Sequence, residues 1–78
     1  MAKIKVKKIS DETVKVFGKT FYRLIGEKEP WWRSRALNKE IAIKIAEKLR
    51  QAGYKCEIVK NWYSSVGRVS IEVLAPDW

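Results

Sequence analysis

At 78 residues, 46% of them hydrophobic and including four tryptophans, the chain suits one small domain, spanning 1–78, with a modest core. Its apolar residues are too many and too regularly placed for a disordered basic tail, although the net charge is +8. A single cysteine excludes an internal disulfide, and the lack of a secretory leader or long apolar run points to a soluble, cytoplasmic protein with no membrane partner.

Lys3-Ile4-Lys5-Val6-Lys7 alternates with period two and predicts a strand with one apolar and one lysine face. Ser10-Asp11-Glu12 is turn material. From Thr13 the alternation resumes, and β-branched and aromatic residues run on to Ile25. Gly18 inside that run predicts a bulge, a bend or a break between two shorter strands. Residues 3–25 therefore read as an antiparallel hairpin with a long or kinked second arm. Gly26 to Pro30 reads as a loop, since proline keeps Glu29 out of helical geometry. The whole stretch from Phe21 to Arg35, FYRLIGEKEPWWRSR, reads as a connection into a helix, dense in aromatics and arginines.

Ile41, Ala42, Ile45, Ala46, Leu49 and Ala52 share one face at helical spacing, with Ile43 outside the stripe. Asn38 is a suitable N-cap, Ser34 an earlier alternative, and Gly53 supplies the left-handed residue that closes the helix. Tyr54 to Val59 and Arg68 to Val73 alternate again. Pairing Ile58 with Ile71 sets Cys56 opposite Val73 and the turn at Tyr63 to Val66, so that every apolar partner lies on one side. The expected fold is α+β in ββαββ order, a four-stranded antiparallel sheet with one helix packed on one face. The other face must then meet water, a second subunit or a ligand.

Catalysis is not expected. Histidine is absent, so the usual general base near neutral pH is missing. Cys56 falls mid-strand on the inward face and reads as a small buried hydrophobe. Asp11-Glu12 and Glu27/Glu29 are solvated turn acids flanked by lysine, and the four glycines are isolated, so no cofactor or metal is expected.

Binding has more support. Residues 1–35 hold ten Lys or Arg against four Asp or Glu (+6), and residues 36–78 hold seven against five (+2). An anionic partner should meet the first half first. Lys3, Lys5 and Lys7 project from one side of the first strand, and Lys15, Phe17 and Lys19 continue that surface. Spaced lysines with an aromatic can follow a phosphate backbone and stack a base. Arg23, Arg33 and Arg35 add cations near the helix start, and of the adjacent Trp31 and Trp32 one should pack in the core and the other reach the surface; Trp32 is placed with the contact residues. The expected function is nucleic-acid binding, DNA ahead of RNA. The alternative is a protein-interaction module or homodimer burying Trp32, Ile43 and Trp62. Abundant Lys and Glu with scarce Gln and Asn also match hyperthermophile composition, which makes part of the charge a background habit.

The segment Arg35-Ala36-Leu37-Asn38-Lys39-Glu40, leading into an Ala/Ile-rich helix, is similar to the strand-to-helix passage of the small sheet-plus-helix DNA-binding domains at the start of some tyrosine integrases. The additional C-terminal hairpin departs from their three-stranded pattern, and no residue roles carry over.

Overall fold

Five short strands precede the helix and two follow it in the computed structural model, which describes residues 4–60 and 67–78. They are β1 (Val6–Ser10), β2 (Thr13–Val16), β3 (Lys19–Arg23), β4 (Trp31–Ser34) and β5 (Leu37–Asn38), then α1 (Lys39–Gln51), β6 (Lys55–Lys60) and β7 (Arg68–Leu74). All seven strands join one antiparallel sheet in the path β1-β2-β3-β4-β7, with β5 and β6 also paired to β7. The four-stranded ββαββ sheet expected from the sequence is therefore wrong, for two local reasons.

The first lies at Phe17-Gly18. Val16 pairs with Lys19, leaving a two-residue turn whose residues both sit at positive φ (53° and 73°), the signature of a type I′ hairpin. The presumed long second arm is thus two strands, and residues 6–23 form a three-stranded meander. The second lies in the stretch read as a connection. Leu24 N–H donates to Trp31 O across 2.9 Å, closing a hairpin around Ile25 to Pro30, and β4 emerges directly after the proline. Trp31–Ser34 is a strand paired on both sides, with β3 (Tyr22 opposite Arg33, Arg23 opposite Trp32) and with β7 (Trp31 opposite Leu74, Trp32 opposite Val73), the latter forty-odd residues further along.

β4 and β5 lie end to end along one edge of β7, separated by Arg35 and Ala36. At the gap the buried Ser34 hydroxyl accepts the Ile71 N–H at 2.8 Å and donates to Arg35 O at 2.9 Å. A side-chain oxygen thus replaces the missing ladder carbonyl, satisfying a buried amide that would otherwise be costly. Ser34→Ala should accordingly lower stability by about 1–3 kcal/mol in urea unfolding, more than loss of an exposed hydroxyl explains. Stability equal to the parent protein would show that Ile71 finds another acceptor.

The helix follows the sequence closely at its ends. Asn38 Oδ1 accepts the Glu40 N–H at 2.9 Å, which makes Asn38 the cap and leaves Ser34 to the sheet. At the other end Tyr54 N–H bonds Leu49 O and Gly53 N–H bonds Arg50 O, both at 3.0 Å, with Gly53 at φ 96°. That is a Schellman closure, and it needs glycine at this position. Ala42, Ile45, Ala46 and Leu49 are buried, whereas Ile41, expected inside, is 41% exposed. The helix rests chiefly on β5, β6 and β7, so its apolar contact is narrower than the stripe. The β6–β7 register is the one expected, Ile58 against Ile71 and Cys56 against Val73; the predicted turn at Tyr63 to Val66 lies outside the described residues.

Helix and meander share one core. Val14, Val16 and Phe21 join Trp32, Leu37, Leu49, Ile71 and Val73 in a single buried cluster. Trp78 fits between the two halves, its ring 5.4 Å from Phe21 edge-on, 5.5 Å from Tyr54 and 6.1 Å from Trp32.

Candidate functional site

Antiparallel partners share a face, so the registers sort every strand residue. Lys7 stands opposite Lys15, Lys15 opposite Thr20, and Arg35 N–H bonds Thr20 O at 3.1 Å. These residues form a row running across β1, β2 and β3 to the gap after β4, on the face turned away from α1. One step along the strands lies a mixed row, Thr13, Tyr22, Arg33, Glu72 and Glu57. Beyond it runs an apolar row, Leu24, Trp31 and Leu74, ending at Lys55. The face is thus graded from basic to mixed to apolar.

The basic row has the sharpest electrostatics. Lys7 and Lys15 are exposed and directly opposite, a like-charge arrangement that disfavours the pairing it sits on. Among the described residues neither forms an ion pair, nor does Lys5 or Arg35. Arg33 differs: its Nη2 and Nε both donate to Glu72 Oε2, the Nε bond being 3.1 Å. That exposed pair adds little stability and leaves Arg33 less free for another anion.

Several sequence-predicted contact residues fall elsewhere. Lys19 pairs with Val16 and Arg23 with Trp32, so both belong to the helix side of the sheet. A two-residue turn in place of a continuous strand reversed their faces. The Arg23 guanidinium lies 5.9 Å from the Trp32 ring. Trp32 itself is 3% exposed, with Nε1–H donating to Ala75 O at 3.1 Å, and is a core residue, not a contact residue. Its neighbour Trp31, half-buried, takes the outward position. The same burial removes Trp32 from the alternative protein interface, whose Ile43 is exposed on the helix and whose Trp62 lies outside the described residues, as does Lys3. Thr20, Tyr22 and Trp31 were missed by the sequence reading. Placing a two-residue turn at Phe17-Gly18, which sets Lys15 opposite Thr20 and Thr13 opposite Tyr22, would have found the first two.

At the β1 end of the basic row, Lys5, Val6, Lys7, Lys15, Phe17 and Gly18 line an open hollow of about 680 Å³. Four of the expected contact residues, Lys5, Lys7, Lys15 and Phe17, therefore converge. On the far side of the sheet Cys56 is buried, its thiol donating to Ala46 O at 3.3 Å, and burial pushes its pKa up, which disfavours the reactive thiolate. Among the described residues no three His, Cys, Asp or Glu side chains gather to hold a metal ion, and no helix is long and apolar enough to cross a membrane. No protein-family model matches the chain, and no curated protein or solved structure is significantly similar to it.

Proposed function

We propose that the protein binds nucleic acid, with DNA the first probe to try, through the face turned away from α1, acting in the cytoplasm without catalysing a reaction. The observation that carries the reading is the Lys7–Lys15 cross-strand pair without a carboxylate, continued by Lys5 and Arg35. Repulsion built into a strand pairing is relieved when phosphates lie over it. Tyr22 and Trp31, in the rows beyond, offer flat surfaces on which bases stack.

Salt titration tests this. With Lys5, Lys7, Lys15 and Arg35 each on a phosphate of a single strand, log affinity falls against log salt with a slope of about −3, so fourfold more salt weakens binding about fifty-fold. A flat salt dependence, or no binding at low salt, defeats the proposal. The apolar row Leu24, Trp31 and Leu74 favours a second reading, a protein partner or second copy seated on that end of the face. A purely monomeric mass at high concentration in sedimentation removes the second copy.

A further inference from the structure

Phe17 sits where local structure does not favour it. It is the first residue of the type I′ turn, at φ 53°, in a position that glycine, asparagine and aspartate occupy readily and a bulky side chain does not. The residue is 39% exposed, so burial offsets only part of that strain. Backbone strain that packing does not require is a mark of functional use. The ring is nonetheless held in place: Lys48 Nζ, from the last turn of α1, lies 5.3 Å from its centroid.

The ring forms part of the hollow at the β1 end of the basic row. The other polar side chains there are Lys5, Lys7 and Lys15, and no carboxylate lines it. Its size falls within the range of sites that take a small molecule, about 300–1,000 Å³. Three lysines and one aromatic ring lining the same hollow match a nucleotide: charge for phosphate, a flat surface for a base. A base in a duplex is already stacked on both sides and cannot offer its face to Phe17.

We infer that this hollow receives one unpaired nucleotide of a single-stranded nucleic acid, its base stacked on Phe17 and its flanking phosphates held by Lys5, Lys7 and Lys15. The inference rests on the nucleic-acid reading above and narrows it to single strands.

Phe17→Asn separates the two roles of this residue, because Asn-Gly is the favoured type I′ pair. The variant should melt at a higher temperature than the parent. Its affinity for a short oligothymidylate at low salt should fall by between about fivefold and about a hundredfold, the worth of one stacked base. Phe17→Tyr should keep parental affinity. Parental binding by Phe17→Asn overturns the hollow as a nucleotide site while the salt-dependent sheet face stands. A lower melting temperature with unchanged binding does the same and gives Phe17 a packing role. A parent protein that binds neither oligothymidylate nor duplex overturns this inference and the reading beneath it together.

Discussion

Replacing Trp32 with alanine should cost about 3–5 kcal/mol, while the same change at the adjacent Trp31 should cost far less and weaken nucleic-acid binding instead. Trp32 faces the core, packs against Trp78, bonds Ala75 O through its indole N–H and lies beside the Arg23 guanidinium. Truncation opens a large cavity and leaves the Ala75 carbonyl without that donor. A 78-residue domain has only about 4–12 kcal/mol of stability in total, so this one change removes a large part of it. Trp31 points the opposite way, opposite Leu74 in the outward apolar row. Urea unfolding of the two variants, with oligonucleotide titration of whichever folds, checks both halves. Equal destabilisation would show that the outward face is buried and not available to a ligand.

The second large effect is expected at Trp78. Its ring touches Phe21, Trp32 and Tyr54 and joins the meander to the helix side of the core. Trp78→Ala should cost about 3 kcal/mol, which for a domain of this size lowers the melting temperature by about 15 °C. A second readout is the Tyr54 phenol. Its pKa is raised, chiefly by burial and then by the 2.7 Å hydrogen bond to Asp77. Asp77→Asn should return it toward its ordinary value in an absorbance titration, whereas Trp78→Ala removes burial, which raises it, together with an indole contact, which lowers it. A melting temperature within a few degrees of the parent would show that the ring covers the core without supporting it.

What could be read from the sequence was what depends on neighbours in the chain. The helix ends were legible because Asn38 and Gly53 act within a turn of themselves, through the Glu40 amide and the Leu49 and Arg50 carbonyls. The β6–β7 register was legible because two alternating runs face each other with few solutions. β4 and β5 were not. Trp31–Ser34 is short, follows a proline and carries no clean alternation, and it is held on one side by β3 across a six-residue loop and on the other by β7, far along the chain. The candidate site was half legible for the same reason. Lys5, Lys7, Lys15 and Phe17 converge as expected, but the faces of Lys19, Arg23 and Trp32 hinged on a turn length and a distant pairing. A single-residue difference there exchanges inside for outside.

β7 has a further consequence, for the order in which the protein can form. It lies between β4 and β6, so the meander and the helical half are joined only when the last strand arrives. Trp32 and the Ala75 carbonyl that receives its indole are 43 residues apart. Contacts of that span close late, and until they do β4 is an open edge carrying two tryptophans, a ready template for pairing with another chain. The +6 charge of residues 1–35 covers that interval. Copies of the unfinished meander should repel one another, so the lysines of the proposed binding face also disfavour aggregation before folding is complete.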